Sequence, residues 1–448
     1  MAADVSVLVV GAGPTGLLLA SELHRRGVAC RLIDANPAPL HWDRATVVHP
    51  RSLEVFESLG LLEGFLAAGV KQRFARLHSE GAVLGEIDLS ICGSRYGFNL
   101  GLSEEVTETI LTGYLQQQGG GIVRSSRLVD MRAAERGLVA TIDRDGSSET
   151  ISTEWIVGCD GLHSATRELS GIELAGHDIP EPWAVFDVTL TNWPEPYEAI
   201  YCYMDEPPVI LTALPGRLQS RLEAARVCQG QSAPEILDSY EAERRPVAEQ
   251  IAASGDEVEH AQTLSDPAER RTRDRQLRAS FADPRARHHE AIAEAELDID
   301  YGGSPIVMGD AHPALGPGQR LPDTIEVRLA SGEQRGLHEL THRAGHTALL
   351  VGGASSRDDD LARLADAIQA RSDRPLIGAT IVLTTRTRNL PPWAWLSPAA
   401  ADQLGIGEVS LLVVRPDGHV GLRADRDHLD ALAAYRSLVA GTASPQRA

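Results

Sequence analysis

The sequence predicts an α/β fold, and three consecutive segments near its beginning carry that prediction. Residues 5–10 are a continuous apolar run, which is typical of a buried parallel strand. A glycine-rich turn over residues 11–16 follows, and an apolar helix then extends to about Arg26. A second apolar strand over residues 28–33 ends at Asp34. Strand, helix and strand in this order predict a β-α-β unit, in which the two strands lie parallel in one sheet.

Length and composition limit the class of protein. A chain of 448 residues predicts two or three domains, and a hydrophobic fraction of 43% is enough to fill a core. The net charge of -21 repels polyanions, so we expect no nucleic-acid partner. We also expect no membrane span and no signal peptide, and therefore a cytoplasmic protein. The five cysteines have neither CxxC pairing nor metal-ligand spacing, which predicts no disulfide framework and no metal site.

Further along the chain the pattern changes to antiparallel strands and then to helices. Residues 42–66 predict a polar loop and one helix that carries Leu53, Phe56 and Leu61. The other expected elements are, in order, a helix over 104–117, antiparallel strands over 121–157, strands over 184–190, 199–203 and 209–214, helices over 233–300, a linker over 305–322, strands over 347–351, 381–384 and 409–415, a helix over 358–371, and a hairpin turn at Asp417-Gly418 before residues 419–423.

The first motif is the glycine-rich loop itself, Gly11-Ala12-Gly13-Pro14-Thr15-Gly16. Its spacing and its place between strand and helix are those of a dinucleotide-binding loop. Gly11 permits the tight turn, Gly13 lets a pyrophosphate approach the backbone, and Gly16 allows close packing of helix and strand. The helix N-terminus offers N–H groups to the phosphates, and Asp34 can accept hydrogen bonds from ribose hydroxyls. A glycine-rich turn without any ligand is the alternative.

A second motif runs Gly158-Cys159-Asp160-Gly161-Leu162-His163-Ser164-Ala165-Thr166-Arg167. The residue types alone predict a turn at Asp160-Gly161 after a strand, and Ser164 can cap a helix. Placed after a Rossmann-type unit, it closely resembles the second signature of the class A flavoprotein hydroxylases, the family with the para-hydroxybenzoate hydroxylase fold. The resemblance implies FAD as cofactor and NADPH or NADH as reductant. It also implies that Asp160 and Gly161 lie near the flavin pyrophosphate.

Two other segments extend the resemblance. Residues 44–54 are similar to the family's Arg-Ala…Pro-Arg-(Ser/Thr)-Leu-Glu segment, in which Arg44 matches the arginine that lies along the flavin. Residues 238–247, Asp-Ser-Tyr-Glu-Ala-Glu-Arg-Arg-Pro-Val, match the helix that follows the flavin domain. The branch acting on polycyclic aromatic polyketides fits best, because its C-terminal thioredoxin-like domain resembles residues 308–442. That region has no cysteine, so a structural role is expected.

These resemblances imply an α/β protein with a Rossmann-type FAD-binding domain, an antiparallel substrate sheet, a helical segment and a C-terminal thioredoxin-like domain. The expected boundaries are 1–175 for FAD binding, 176–216 for a truncated substrate sheet, 217–303 for the helical segment, and 304–448 for a thioredoxin-like domain lacking cysteines.

One family signature is missing. Family members carry Gly-Asp-Ala-Ala-His and a Gly-Gln-Gly-x-Asn loop before the Tyr-Glu-Ala-Glu-Arg-Arg-Pro helix, and the resemblance places that loop against the flavin ring. Here the chain passes from residues 210–217 almost directly to residues 227–230, which implies an internal deletion of roughly 100 residues. A second departure is at Leu102-Ser103-Glu104, where the resemblance implies a glutamine near Ser103 that contacts the flavin.

Two segments imitate functional motifs in unsuitable places. Residues 309–319 contain Gly-Asp-Ala-His-Pro and Gly-Gln, but they follow the Arg-Arg-Pro helix and fit better as the start of the C-terminal domain. His338-Glu339-Leu340-Thr341-His342 matches a zinc-protease pattern, yet the segment is short and is followed by a strand. We therefore expect neither a replacement for the missing signature nor a metal.

The sequence predicts an FAD-dependent monooxygenase that uses NADPH or NADH and oxygen to hydroxylate a polycyclic aromatic polyketide. The residues expected to contact cofactor are Gly11, Gly13, Pro14, Thr15, Gly16, Asp34, Arg44, Asp160 and Gly161. No catalytic acid or base follows from the sequence. The rival hypotheses are a non-catalytic scaffold, a dehydrogenase that uses only a nicotinamide cofactor, and an incomplete gene product. A homo-oligomer is a further hypothesis, since a truncated sheet exposes an edge.

Overall fold

The computed structural model describes residues 4–39, 46–174, 176, 198–205, 208–210, 238–343, 345–370, 376–386 and 394–440. The chain forms two compact units. The first consists of Met1–Ala75, Phe98–Tyr201 and Ile210–Arg221, and the second of Arg76–Gly97, Cys202–Val209 and Leu222–Ala448. The division into four functional domains remains a prediction.

The strands in the described residues are numbered in chain order. They are β1 Val5–Val10, β2 Cys30–Ile33, β3 Val47–Val48, β4 Val70–Gln72, β5 Phe74–Ser79, β6 Ala82–Asp88, β7 Asn99–Gly101, β8 Ile122–Val123, β9 Ser126–Ala133, β10 Leu138–Arg144, β11 Ser147–Gly158, β12 Ala199–Tyr203, β13 Val209–Ile210, β14 Met308–Gly309, β15 Glu326–Arg328, β16 Gln334–Gly336, β17 His346–Gly352, β18 Ile377–Thr384, β19 Ala394–Leu396, β20 Val409–Val414 and β21 Val420–Ala424.

The helices are numbered in the same way. They are α1 Pro14–Arg25, α2 Pro50–Ser58, α3 Leu62–Ala68, α4 Glu104–Gln117, α5 Ala165–Leu169, α6 Asp238–Gln262, α7 Pro267–Ala282, α8 Pro284–Glu294, α9 Leu337–Thr341, α10 Asp358–Ala370, α11 Pro398–Gln403 and α12 His428–Ala440, and a 3-10 turn covers Leu89–Ile91. Among the helices in the described part of the chain, none has the length and apolar character needed to cross a membrane.

The first unit is built on a six-stranded sheet in the order β8-β2-β1-β11-β10-β9. β1 pairs in parallel with both β2 and β11, which confirms the predicted β-α-β unit. β9, β10 and β11 are antiparallel, as expected, and Leu8, Ile142 and Ile151 pack in the core between them and β1. The antiparallel prediction is wrong for residues 122–123, because β8 pairs in parallel with β2 at the opposite edge.

Residues 42–66 differ from the prediction of one helix. The structure has two helices there, α2 and α3, and Leu61 lies at the N-cap of α3 instead of inside a helix. The break falls at Gly60, whose φ of 73° lies in the left-handed region that ends a helix. Phe56 and Phe65 stack across the break with ring centroids 3.9 Å apart, so both short helices share one apolar contact.

α1 and α4 lie side by side in the first unit and run in the same direction. The carboxylate of Glu108 in α4 is close to the start of α1, and Tyr114 of α4 donates a hydrogen bond of 3.1 Å to Glu22 near the end of α1. Burial raises the pKa of Glu22, but a hydrogen bond from Arg25 and the charges of Arg26 and Arg25 outweigh it and hold that pKa at about 2. Both helices therefore begin at the same edge of the sheet.

The second unit contains an eight-stranded sheet in the order β14-β21-β20-β17-β18-β19-β15-β16. β17 pairs in parallel with β18 and antiparallel with β20, and β20 pairs antiparallel with β21. β17, α10 and β18 form a βαβ unit, and the β20-β21 hairpin and α12 follow it. This is the thioredoxin-like arrangement that the sequence predicts. Both faces are covered, because Leu349 belongs to one buried cluster and Leu350 to another.

A buried ionic network joins α6 to the sheet of the second unit. Glu243 of α6 accepts hydrogen bonds from Arg415 at 2.5 and 2.9 Å and from Ser304 at 2.7 Å. Arg415 also donates to Asp417 at 2.6 Å. Burial raises the pKa of Asp417, but Arg415 and His419 outweigh it and hold that pKa well below its usual range. Glu243 of the Glu-Arg-Arg-Pro segment therefore has a structural role in this chain.

The four-stranded sheet has the order β13-β12-β5-β6, and a three-stranded sheet has the order β3-β7-β4. Residues 184–190 and 211–214, for which strands were predicted, lie outside the described residues. The junction of the predicted deletion, residues 217–227, lies outside them as well.

Candidate FAD-binding site

The candidate site is the edge of the six-stranded sheet at which the parallel strands end. Val10 is paired with Ile33 of β2 and with Gly158 of β11, so the residues that follow these three strands come together. The amide of Gly11 continues the ladder to the carbonyl of Ile33 at 2.8 Å, and Cys159 does the same to Val10 at 2.7 Å. Ligands of open α/β sheets bind at such carboxyl ends.

Two glycines of the loop are required by the protein's own packing. Gly11 has a φ of 98°, and a Cβ on it would lie 2.4 Å from the carbonyl oxygen of Cys159. A Cβ on Gly16 would lie 1.9 Å from the carbonyl oxygen of Gly11. These separations are far below a van der Waals contact, so the turn and the first turn of α1 cannot hold a larger residue in this geometry.

Gly13 is different, because nothing in the described protein requires a glycine there. Its φ of -71° and ψ of -178° are ordinary for any residue, and the nearest atom to a Cβ would be Oε1 of Glu108 at 3.9 Å. No side chain caps α1, Pro14 is at its first position, Thr15 is exposed, and its first turn has no acidic residue. The open space beside Gly13 and the uncapped helix end fit the pyrophosphate of FAD.

Asp34 lies 8% exposed at the end of β2 and fixes the glycine loop. Its Oδ2 accepts a hydrogen bond from the amide of Ala12 at 2.7 Å, and its Oδ1 accepts one from Asn36 at 2.8 Å. Arg124, which follows β8, is 3.5 Å from the same Oδ1. Each carboxylate oxygen can accept a second hydrogen bond, so Asp34 is compatible with a ribose hydroxyl.

Asp160 is held mainly by α5. Its carboxylate accepts hydrogen bonds from the Ser164 hydroxyl at 2.5 Å and from the Thr166 amide at 3.0 Å. Ser164 caps α5 by accepting from the amide of Arg167 at 2.9 Å. The Cα of Asp160 would be 2.7 Å from a Cβ on Gly11, so the Asp-Gly turn packs directly on the glycine loop. Gly161 has a φ of 74° and open space around it.

The structure also locates residues around the Arg44 motif. Arg44 itself lies outside the described residues. Arg51 and Glu54 of α2 form a buried ion pair of 2.7 Å with each other, so these two residues of the motif stabilise their own helix. Ser103, near which a glutamine was expected from the resemblance, is the N-cap of α4 and makes no capping hydrogen bond through its side chain.

Two residues at this edge escaped the sequence analysis. Glu108 lies beside Gly13, and Arg124 lies beside Asp34. Burial and the charge of Glu104 raise the pKa of Glu108, Arg124 opposes them, and Asp34 and Glu105 add to the rise, which brings that pKa to about 7. The glutamate-rich start of α4 was visible in the sequence, but the parallel packing of α4 on α1 was not.

The two imitating motifs have structural positions in the second unit. Gly309 has a φ of 123° and belongs to β14, where a Cβ would lie 1.9 Å from the carbonyl oxygen of Arg423. Asp310 accepts a hydrogen bond of 3.0 Å from the amide of Asp425. The helix with the zinc-protease pattern, α9, has five residues and ends before His342. Residues 309–310 thus belong to the sheet of the C-terminal region.

Comparison with known proteins supports the cofactor. Residues 4–223 match a family described as FAD binding domain. Pentachlorophenol 4-monooxygenase from Sphingobium chlorophenolicum is 32% identical over 224 residues, which cover 48% of this chain but only 41% of that relative. The matched region contains the glycine loop, Asp34 and the Asp-Gly turn. FAD is therefore the cofactor of the domain that contains these residues.

A longer but more distant alignment covers most of the chain. The 12-dehydrotetracycline 5-monooxygenase/anhydrotetracycline 6-monooxygenase from Streptomyces rimosus is 26% identical over 511 positions, which take in 92% of this chain and 94% of that relative. Because 92% of 448 residues is about 412, about 100 alignment positions are gaps in this chain. This total is close to the length of the internal deletion that the sequence implies.

The fold is also shared with a solved structure. Aklavinone-11 hydroxylase, in a ternary complex with FAD and aklavinone, superposes with a TM-score of 0.71 at 20% identity and covers 98% of this chain and 100% of its own. At this identity the likeness shows the fold. The chain therefore shares its fold with this aromatic hydroxylase and contains an FAD-binding domain over residues 4–223.

Proposed function

We propose that this protein is an FAD-dependent monooxygenase that hydroxylates a polycyclic aromatic polyketide, with NADPH or NADH as reductant and oxygen as co-substrate. The observation that carries the proposal is the glycine at position 13, which the protein's own packing does not require and a close pyrophosphate does. The tetracycline and aklavinone hydroxylases among its relatives support the substrate class. When bound, FAD would supply the redox chemistry that couples oxidation of the nicotinamide cofactor to insertion of one oxygen atom into the ring.

The residues of the first unit hold the cofactor in this proposal. The loop backbone over residues 11–16 and the start of α1 bind the pyrophosphate, and Asp34 binds the ribose. Asp160 and Gly161 keep the second signature packed on the loop, and Arg44 lies along the flavin as the resemblance implies. The protein's contribution is placement and electrostatics, since the cofactor supplies the redox chemistry.

Oxidation of NADPH and of NADH in air tests the proposal. The protein, saturated with FAD, is incubated with and without a tetracyclic aromatic ligand such as an anhydrotetracycline or aklavinone. We expect ligand to accelerate consumption of one of the two reductants and to give a product that has gained one oxygen atom. The Gly13→Ala variant is the matched control, because it should keep the fold and need a higher concentration of FAD for the same activity.

The same assay separates the rival functions. If FAD is firmly bound but NADPH and NADH are not consumed, the monooxygenase hypothesis is contradicted and the hypothesis of a non-catalytic, FAD-binding scaffold is supported. A colourless protein that binds NAD tightly would contradict the flavoprotein and favour a nicotinamide-only dehydrogenase. We further propose that the protein acts in the cytoplasm, where the reductants are supplied. Light scattering measures whether the protein forms a homo-oligomer.

A further inference from the structure

Glu108 is placed at the dinucleotide site by helix packing. Because α4 runs alongside α1 in the same direction, the second turn of α4 reaches the start of α1. Among the described residues, Oε1 of Glu108 is the nearest atom to the space that Gly13 leaves open, at 3.9 Å from a Cβ built there. A carboxyl group thus borders the space where the pyrophosphate must approach.

The charges around Glu108 are mostly negative. Glu104 and Glu105 precede it on α4, and Asp34 faces it from the end of β2. Arg124, after β8, is a cation in the described part of the chain that lowers its pKa. Neighbouring α1 has no acidic residue in its first turn, and α3, which also packs on α4, contributes Glu63 as its ionisable residue.

An ionised Glu108 would add a negative charge beside a pyrophosphate that is itself doubly charged. A neutral carboxylic acid at the same place removes the repulsion and supplies an O–H donor for a phosphate oxygen. Burial and the carboxylates around it already raise the pKa of Glu108 to about 7, so the neutral form is accessible near physiological pH. A bound dianion would raise this pKa further.

We propose that Glu108 is a cofactor-binding residue that contacts the FAD pyrophosphate as a neutral acid, so that FAD binding takes up one proton. The proposal rests on FAD being the cofactor and extends the site beyond the two flavin signatures. The proton comes from solvent and stays on the Glu108 carboxyl, so no redox step is involved.

The test is the dissociation constant of FAD measured against pH, by quenching of flavin fluorescence. The apparent constant equals the intrinsic constant divided by the competent fraction, so it should rise about tenfold between about pH 6 and about pH 8. Glu108→Gln keeps a neutral side chain of the same size and should bind FAD tightly with a flat profile. Glu105→Gln, an exposed position on the same helix whose charge makes the smallest of the named contributions to that pKa, should keep the rise and move it only slightly to lower pH.

Calorimetry in buffers of different ionisation enthalpy gives a second readout. At about pH 8 the wild-type protein should take up nearly one proton for each FAD bound, and Glu108→Gln should take up almost none. A flat wild-type profile, or an unchanged profile in Glu108→Gln, would overturn the role of Glu108 while leaving the cofactor intact. Failure to bind FAD at every pH would overturn both this inference and the proposed function.

Discussion

The contrast between Gly13 and Gly16 makes a quantitative prediction about a single methyl group. In Gly13→Ala the new Cβ has no described protein atom closer than 3.9 Å, and the backbone conformation suits alanine. The free energy of unfolding of the apoprotein should therefore stay within about 0.5 kcal/mol or rise by up to about 1 kcal/mol. In Gly16→Ala the Cβ would lie 1.9 Å from a backbone oxygen, so the apoprotein should lose about 1–3 kcal/mol.

In Gly13→Ala the affinity for FAD should fall, although the stability of the apoprotein does not. The methyl group of Gly13→Ala occupies the space that the pyrophosphate needs and removes one hydrogen bond to a charged group, which costs about 1.5–3 kcal/mol. Since 1.4 kcal/mol is a tenfold change, the dissociation constant should rise roughly ten- to hundredfold.

Urea denaturation of both apo variants and fluorescence titration with FAD measure the two quantities separately. Gly16→Ala serves as the matched control, because it adds the same methyl group three residues further on. Wild-type affinity in Gly13→Ala would refute the reasoning. So would a loss of apoprotein stability in Gly13→Ala as large as that in Gly16→Ala.

Three further predictions concern buried charges. Arg423 is fully buried and donates to three carbonyl oxygens and to Asp425, so Arg423→Met should lower the free energy of unfolding by about 3–5 kcal/mol, whereas Arg363→Met, at a side chain 75% exposed, should change it by less than about 0.5 kcal/mol in the same urea titration. Glu22 has its pKa lowered from 4.5 to about 2, so its stabilisation is complete above pH 4.5 and is lost as pH falls towards 2; Glu22→Gln should cost about 2 kcal/mol at neutral pH and flatten that loss in denaturation curves recorded against pH. Asp417 also has a lowered pKa, so Asp417→Asn should remove part of the acid sensitivity below about pH 4 seen by thermal unfolding, and an unchanged acid profile would contradict the network.

Local patterns in the sequence predicted most of the regular elements. The apolar run of β1 and the helix over 104–117 agree with the structure, because burial on both faces and helical periodicity are local properties. The order of β17, α10, β18, β20 and β21 was also predicted from strand and turn signals. Gly60 ended a helix in the middle of an apolar pattern, and a single glycine inside such a pattern does not reveal its φ.

The sequence predicted the glycine loop of the candidate site but not the charged side chains beside it. Gly11, Gly13 and Gly16 follow from a motif with fixed spacing, and the structure separates the two that are required by packing from Gly13, which borders open space. Glu108 and Arg124 reach the same edge only through the packing of α4 on α1 and the pairing of β8 with β2. Such long-range neighbours have no signal in a single sequence.

The central claim is that the first unit binds FAD at the edge formed by the glycine loop, Asp34 and the Asp-Gly turn. The most direct measurement is the visible absorption spectrum of the purified protein after addition of excess FAD and removal of free cofactor by desalting. We predict a retained flavin band that corresponds to one FAD for each chain. A protein that is folded but retains no flavin would contradict the account.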